Sequence, residues 1–273
     1  MFEPVVFAAV QMNSQADEAA NLARACALVA EAASRGARAV VLPENFALMG
    51  HDEEDKRAIA EDLDDGSGPI ATMLRTTARQ HGVWIVAGGL PERSADRDRP
   101  YNTCAVVDPT GAVVARYRKL HLFDVVLADG TRYRESGSTM AGDAPVVADV
   151  AGLRLGLSIC YDLRFPELYR ALSTAGAEAL VVPAAFTLAT GKDHWLTLLR
   201  ARAIESQTYV VAAAQWGKHP RGRMTFGKSC IIDPWGEVVA QASEGEGVVL
   251  ATLDPAYLQR VRANLPSLQH RRL

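Results

Sequence analysis

The amino-acid sequence predicts an α/β protein in which two mixed β-sheets are covered by helices. Short apolar runs that are typical of buried strands alternate with amphipathic helical stretches along the first third of the chain. An Asp-Pro-Thr-Gly turn at residues 108–111 then joins two apolar runs, which predicts an antiparallel hairpin and therefore sheets of mixed direction. Because no Gly/Ser-rich or Pro-rich linker interrupts the chain, residues 1–273 are expected to form one domain.

The N-terminal half is predicted to contain five strands and two long helices. Apolar residues recur at helical spacing between residues 22 and 33, and this first helix is expected to begin at a Ser14–Asp17 capping pair and to end at Gly36. The predicted strands are residues 5–10, 39–42, 83–87, 104–107 and 113–117, and the second helix is predicted near residues 67–80.

Cys160 lies where a strand is predicted to end and a helix to begin. Apolar residues alternate with small or polar ones from Leu153 to Ile159, which is typical of a strand. Pro166 and Glu167 suit the first turn of a helix. The free amide groups at that helix N-terminus are expected to lower the pKa of the Cys160 thiol, to about 3.5 to 7.5, and to favour the nucleophilic thiolate. The alternative interpretation is a buried core cysteine.

The rest of the chain continues the same alternation. A helix is predicted at residues 190–207, and strands are predicted at 179–182, 209–214, 228–233, 237–241 and 247–253. The many charges of residues 52–65 are interpreted as a solvated helix face rather than as part of a site.

Composition excludes several classes of function. The chain has a net charge of −3, with 49% hydrophobic and 22% charged residues, so nucleic acid is not expected as a partner. No apolar run approaches the roughly 20 residues of a membrane span, and Glu3 stands where a signal peptide needs positive charge, so a cytoplasmic protein is expected. Three of the four cysteines, Cys26, Cys104 and Cys230, are expected to be structural, and neither a metal site nor a disulfide framework is predicted.

Two further polar residues follow predicted strands, as Cys160 does. Glu44 follows the strand at residues 39–42, and Lys119 follows the strand at residues 113–117. Since ligand crevices form at the carboxyl ends of strands in open α/β sheets, these side chains are candidates for one site. His121 and His194 remain candidate lining residues. Taken singly, each of these charges would more commonly be an ordinary surface charge.

Three motifs together resemble the nitrilase superfamily of carbon–nitrogen hydrolases. They are Pro-Glu-Asn at residues 43–45, Tyr-Arg-Lys-Leu-His-Leu-Phe-Asp at 117–124, and Cys-Tyr-Asp-Leu-Arg-Phe-Pro-Glu-Leu at 160–168. The resemblance implies a four-layer αββα sandwich and a catalytic triad of Glu44, Lys119 and Cys160. It also implies that Glu135, in Tyr-Arg-Glu-Ser, is a second glutamate close to the triad.

The implied chemistry is hydrolysis of an amide without a metal or other cofactor. Cys160 is expected to attack the carbonyl carbon, and Glu44 to shuttle the proton in both half-reactions. Lys119 and the backbone N–H of Tyr161 are expected to hold the oxyanion, while Glu135 orients Lys119 or the substrate. Other substrate-binding candidates are Arg164, for a substrate carboxylate, and His121, Phe186, Thr187 and His194.

Further motifs narrow the resemblance to Nit-type amidases of small 2-oxo acid amides. They include Gly-Lys-Asp-His-Trp at residues 191–195 and Asp-Pro-Trp-Gly at 233–236, whereas residues 216–225, at the outer rim of the pocket, match less well. The expected substrate is deaminated glutathione, cleaved to 2-oxoglutarate and cysteinylglycine, in a homodimer or higher homo-oligomer. The alternatives are an omega-amidase acting on 2-oxoglutaramate, a hydrolase of N-carbamoyl amides or nitriles, and a catalytically silent scaffold protein.

Overall fold

The computed structural model of the chain describes residues 3–126, 130 and 132–272. Its elements follow one another along the chain as strands β1–β16 and helices α1–α5. The N-terminal elements are β1 (Val5–Met12), α1 (Glu18–Ser34), β2 (Ala39–Leu42), α2 (Pro69–His81), β3 (Trp84–Glu92), β4 (Tyr101–Val107), β5 (Val113–Arg118), β6 (Asp124–Val126) and β7 (Arg132–Arg134). The remaining elements are β8 (Val147–Val150), β9 (Leu153–Leu157), α3 (Pro166–Thr174), β10 (Ala179–Val181), α4 (Leu188–Ser206), β11 (Tyr209–Ala212), β12 (Ala214–Lys218), β13 (Met224–Phe226), β14 (Cys230–Ile232), β15 (Val238–Gln241), β16 (Gly247–Leu253) and α5 (Pro255–Asn264).

Most of the strands form two mixed sheets. The first has eight strands in the order β13-β12-β1-β2-β3-β4-β5, with β16 also paired to β1, and the second has six in the order β15-β14-β11-β10-β9-β8. In the first sheet β12, β1, β2 and β3 run parallel, as do β9, β10 and β11 in the second, and the other pairings are antiparallel. Strands β6 and β7 form a separate two-stranded hairpin.

Helices cover the outer face of each sheet. In β1, Phe7 and Ala9 belong to the core between the sheets, whereas Ala8 and Val10 pack with α1 and α2 on the opposite face. This alternation follows from the two-residue period of a strand, and both faces are apolar because both are buried. In the second sheet Gly156 faces Leu172 of α3. The predicted αββα sandwich is therefore confirmed.

The chain crosses between the two sheets within the segment that was predicted to be one strand, residues 209–214. Strand β11 ends at Ala212 in the second sheet, and β12 begins at Ala214 in the first. Because both segments are buried and apolar, composition gives no sign of the crossing. This prediction was wrong in its boundaries and missed the continuation to Lys218.

Two predicted helix starts also need correction. The cap of α1 is Asp17, whose carboxylate accepts a hydrogen bond from the Ala20 N–H at 3.0 Å, while the Ser14 hydroxyl donates to the Phe46 carbonyl at 3.0 Å. Helix α4 begins two residues before the predicted position, with Thr187 as its N-cap. Among the helices of the described residues, none combines the length and the apolar character that crossing a membrane requires.

Candidate active site

Glu44, Lys119, Glu135 and Cys160 line one cavity, of about 70 Å³. Glu44 follows β2, Lys119 directly follows β5, and Cys160 lies three residues after β9, while Glu135 begins the one-turn helix after β7. The cavity thus lies where strands of both sheets end. The carboxyl ends of the strands therefore bring together the residues that the sequence predicted for one site.

Lys119 connects the two carboxylates. Its Nζ lies 3.1 Å from Glu44 Oε1 and 2.8 Å from Glu135 Oε2, and the lysine is only 2% exposed. Burial alone would lower the pKa of Lys119, but the charges of Glu135 and Glu44 outweigh it and hold that pKa well above its ordinary value. Burial alone would raise the pKa of Glu135, but the positive charges of Lys119 and Lys56 outweigh burial and lower that pKa below its ordinary value. The ammonium and the Glu135 carboxylate are therefore both charged.

Backbone and side-chain donors fix the Glu44 carboxylate. Its Oε1 accepts from Asn102 Nδ2 at 3.0 Å, and its Oε2 accepts from the Ala185 N–H at 3.0 Å. Strand β3 passes close behind it, with Gly89 at φ +64°, where an added Cβ would lie 2.5 Å from Glu44 Cγ. Glycine is thus required there both by the backbone conformation and by the close approach.

A tight turn presents Cys160 to the cavity. The turn is a short 3-10 helix at Cys160–Arg164; Cys160 itself has φ +48°, and its N–H donates to the Pro183 carbonyl at 2.8 Å. The fully buried carboxylate of Asp162 stabilises the turn, accepting from the Ile159 N–H at 2.9 Å and the Tyr117 hydroxyl at 2.7 Å. Helix α3 begins only at Pro166, so the helix predicted to follow at once is preceded by this turn.

The predicted lowering of the Cys160 pKa is wrong. Burial and the charge of Glu44 raise the pKa of the thiol well above its ordinary value, and Lys119 offsets only part of this rise. The helix N-terminus was expected to dominate, yet α3 begins six residues away, at Pro166. Cys160 is therefore a thiol at rest, and Glu44 is the carboxylate whose charge raises its pKa.

Four of the predicted substrate-binding residues line the cavity: Tyr161, Arg164, Phe186 and Thr187.

The two histidines lie behind this lining. His121 Nδ1 lies 2.7 Å from Asp162 Oδ1, and its ring stacks on Phe165 with centroids 3.7 Å apart, so it supports the turn. His194 is exposed, and its Nδ1 lies 3.2 Å from Arg164 Nη1. The structure does not bear out the expectation that the histidines line the pocket, because neither is among the residues that border the catalytic cavity.

Sequence reasoning missed several lining and supporting residues. Asn102 donates to Glu44 and also to Glu135 Oε1, at 3.1 Å, and the only signal for it is a buried-looking amide in a strand whose second half is apolar. Glu53 and Lys56 line the cavity although residues 52–65 were interpreted as a solvated helix face. Glu53 pairs with Lys56 at 2.9 Å and with Arg223 at 2.8 Å, and these charges lower its pKa to about 2.

The described residues contain no group of three or more His, Cys, Asp or Glu side chains arranged to hold a metal ion. The cavity brings together the Cys160 thiol, three carboxylates and two lysine ammonium groups. Among them Cys160, Glu44 and Lys119 form a set suited to nucleophilic attack, proton transfer and stabilisation of negative charge.

Comparison with known proteins bears out the resemblance read from the motifs. The family model for the carbon–nitrogen hydrolases matches residues 7–263. The chain belongs to the carbon–nitrogen hydrolase family. It is therefore an enzyme that hydrolyses carbon–nitrogen bonds, as the sequence predicted.

Three similar proteins place this carbon–nitrogen hydrolase more closely. It is 47% identical to a deaminated glutathione amidase of Synechocystis, over 98% of each chain. It is 45% identical to the human deaminated glutathione amidase, over 97% of this chain and 81% of that one. Among solved structures, a Saccharomyces cerevisiae member of branch 10 of the nitrilase superfamily is 31% identical with a TM-score of 0.87, covering 97% of this chain and 95% of that one.

Proposed function

We propose that this carbon–nitrogen hydrolase is an amidase that cleaves deaminated glutathione to 2-oxoglutarate and cysteinylglycine through a cysteine thioester. The observation that carries the proposal is the position of the Lys119 ammonium, between Glu44 and Glu135 in the cavity that Cys160 lines. The names of the similar cyanobacterial and human proteins support the choice of substrate.

Acylation forms a carbon–sulfur bond and breaks the carbon–nitrogen bond. As Cys160 Sγ attacks the amide carbonyl carbon, Glu44 takes the thiol proton. This transfer is needed because the raised pKa of Cys160 keeps the resting side chain protonated. Lys119 and the Tyr161 N–H stabilise the oxyanion, and Glu44 then gives the proton to the departing nitrogen. Cysteinylglycine leaves, and the 2-oxoglutaryl group remains on sulfur.

Deacylation uses the same groups in the second half-reaction. Glu44 takes a proton from a water molecule whose oxygen attacks the thioester carbonyl carbon, and Lys119 again stabilises the oxyanion. The carbon–sulfur bond breaks, and Cys160 recovers its proton from Glu44. Throughout the cycle Glu135 holds Lys119 in place through the 2.8 Å contact.

Arg164 is the proposed binding group for the carboxylate of the 2-oxo acid portion. Its guanidinium lies over the rings of Phe186, at 5.2 Å, and Tyr161, at 6.0 Å, so aromatic surfaces hold it at the lining of the cavity. Planar, charge-assisted contacts to a carboxylate are a property of arginine that lysine does not share.

The decisive experiment measures kcat/KM for deaminated glutathione, 2-oxoglutaramate, an N-carbamoyl amide and a nitrile. The proposal expects deaminated glutathione to be the preferred substrate, and a thioester of 2-oxoglutarate on Cys160 to be detected by mass spectrometry after rapid quenching. Cys160→Ala is the control and should lack both turnover and adduct. A preference for 2-oxoglutaramate would make the protein an omega-amidase, and inactivity on all four would favour a scaffold role.

We also propose that the protein assembles as a homodimer. Large hydrophobic side chains are exposed on α4 and on the turn before β15: Ile204 is 49% exposed and Trp235 55%. The turn packs on α4, since Arg200 Nε donates to the Gly236 carbonyl at 2.7 Å, so the two side chains share one face. Light scattering on the wild type and on Trp235→Glu tests this, with a shift toward monomer expected for the variant.

A further inference from the structure

A second, larger cavity adjoins the catalytic one. It measures about 650 Å³ and shares four lining residues with the inner cavity of about 70 Å³, namely Glu53, Tyr133, Thr187 and Arg223. The two cavities therefore lie next to each other, and these four side chains border both. The inner cavity is lined by Glu44, Lys119 and Cys160, whereas the outer cavity is lined by the segment around Arg223.

The outer cavity is basic although the chain as a whole is acidic. Five cationic side chains line it against two carboxylates, in a protein with a net charge of −3. Asp52 pairs with Arg221 at 2.6 Å, and Glu53 pairs with Arg223 at 2.8 Å. The other cations make no salt bridge to any residue that the structure describes; they are Arg132, Arg134 and Lys192.

Arg223 stands at the junction of the two cavities with unused hydrogen-bonding capacity. One nitrogen donates to Glu53 Oε1 at 2.8 Å, and another contacts the Met49 sulfur, a weak acceptor, at 3.2 Å. The guanidinium also lies 5.8 Å from the centre of the Tyr133 ring, which helps to fix its plane. A guanidinium that is held in place and only partly paired is suited to bind a carboxylate.

The chemistry of the reaction assigns the two ends of the substrate. Under the proposed function the acyl portion stays on Cys160, and Arg164, which lines the inner cavity only, is available to its carboxylate. The departing amine must lie outside the acyl site, and the larger space that borders the catalytic cavity is the outer cavity. The glycine carboxylate of the leaving group would then pass the cations of its wall.

We infer that the outer cavity, with Arg223 at its entrance, is the binding site for a carboxylate on the leaving-group side of the scissile amide. The site makes this enzyme selective for amides whose departing amine carries such a carboxylate, as a short peptide does, over primary amides. This inference rests on the proposed function and adds the residues that bind the second half of the substrate.

The test compares deaminated glutathione with the same compound carrying a primary amide in place of the glycine carboxylate. Both give the same acyl-enzyme, so any difference in kcat/KM arises before or during departure of the leaving group. We expect the carboxylate compound to be favoured about 10- to 150-fold in the wild type, the range for a hydrogen bond to a charged group. In Arg223→Gln the ratio of the two kcat/KM values should fall at least tenfold.

Two further variants complete the design. Lys192→Gln, on the exposed surface of α4, should also lower the ratio of the two kcat/KM values. This variant replaces Arg223→Gln as the test if Arg223→Gln does not fold. Arg97→Gln removes an exposed arginine outside both cavities and should keep the wild-type ratio. Equal cleavage of the two compounds by the wild type would overturn the inference and leave the proposed function standing. Failure to cleave either compound while 2-oxoglutaramate is cleaved would overturn the proposed function itself.

Discussion

At the scale of single residues, the Lys119 ammonium lies within hydrogen-bond distance of two buried carboxylates, those of Glu44 and Glu135. Asn102 also bridges these carboxylates, donating to an oxygen of each at 3.0 and 3.1 Å. Without a cation between them, two carboxylates so close together would repel each other in a site that water reaches poorly. Lys119 therefore has a structural function that accompanies its proposed role at the oxyanion.

Lys119→Met is expected to damage both activity and stability. Loss of an oxyanion donor costs about 10²- to 10³-fold in kcat. Removing one partner of a buried ion pair costs about 3–5 kcal/mol in the free energy of unfolding. In the variant the pKa of a buried carboxyl rises above its unfolded value, so the stability loss should be largest near pH 7.5 and smaller at pH 5.5. Urea unfolding at both pH values measures this.

The matched control for Lys119→Met is the double variant Lys119→Met/Glu135→Gln. It removes one of the two facing negative charges, so it should recover much of the lost stability at pH 7.5 without recovering activity. A double variant as unstable as Lys119→Met would show that the repulsion between carboxylates is not the cause.

Cys160 is expected to react slowly with alkylating reagents at neutral pH. Burial and the Glu44 charge raise the pKa of its thiol, so little of the side chain is thiolate at neutral pH. The rate of iodoacetamide labelling at Cys160, followed by peptide mass spectrometry, should still be rising at pH 9. A labelling rate that reaches its plateau below pH 7 would contradict this account.

The sequence predicted the chemical identity of the site better than its electrostatics. Glu44, Lys119 and Cys160 could be found because each follows a strand and stands in a recognisable motif. The direction of the Cys160 pKa shift could not be predicted from the sequence, because it depends on burial and on the orientation of Glu44, which are properties of the folded chain. Lys56 was missed for a similar reason: a charged segment in sequence becomes a cavity wall only when β12–β13 folds over it and brings Arg223 to Glu53.

At the scale of elements, the hairpin β12–β13 forms one wall of the outer cavity, and His219 fixes the position of this hairpin. The imidazole Nδ1 lies 2.8 Å from the Ser14 carbonyl oxygen, and Nε2 lies 2.7 Å from the Thr225 hydroxyl. Burial, with the nearby positive charge of Arg223, lowers the pKa of His219 below 6.5. The neutral tautomer that donates from Nδ1 and accepts at Nε2 satisfies both partners.

The stabilising effect of His219 should therefore disappear in acid. Since its folded pKa lies below its unfolded value, the unfolded state binds more protons near and below pH 6.5, and stability falls as pH falls. His219→Gln loses hydrogen bonds to buried partners, at a cost of about 1–3 kcal/mol at pH 7.5. The difference in unfolding free energy between wild type and His219→Gln should shrink from pH 7.5 to pH 5.5. A difference that grows on acidification would mean that the folded histidine is charged.

Element prediction succeeded for buried strands and failed for short polar ones. Strands β2 and β10 are continuous apolar runs, buried along their whole length, and β1 departs from this only at the half-buried Val6 and the polar Gln11. Such runs are visible in sequence. Strands β6 and β7 have three residues each; β6 reads Asp-Val-Val and β7 reads Arg-Tyr-Arg, so the hairpin that leads to Glu135 is too short to show the alternation of a strand. Helix α5 was not predicted because only Pro255, Leu258 and Val261 of its ten residues are buried.

At the scale of the whole molecule, the core between the two sheets determines where the catalytic groups stand. Glu44 and Lys119 follow strands of the first sheet, while Cys160 follows a strand of the second. Leu155 and Leu157 of β9 are fully buried in the same core as Phe7 and Val41. The distance between the nucleophile and its partners therefore depends on how these two inner faces pack.

Leu155→Ala should lower stability while leaving the site able to function at low temperature. Deleting a fully buried leucine side chain costs about 2–5 kcal/mol, because apolar contact is lost and a cavity is left. Leu155 lies five residues before Cys160, so kcat at 15 °C should stay within about threefold of wild type if the sheets keep their spacing. Val114→Ala, at a half-exposed position of β5, is the matched control and should change stability by less than about 0.5 kcal/mol. A loss of kcat at 15 °C of 100-fold or more in Leu155→Ala, with the fold intact by circular dichroism, would contradict this: it would show that one lost side chain changes the spacing of the sheets enough to displace the catalytic groups.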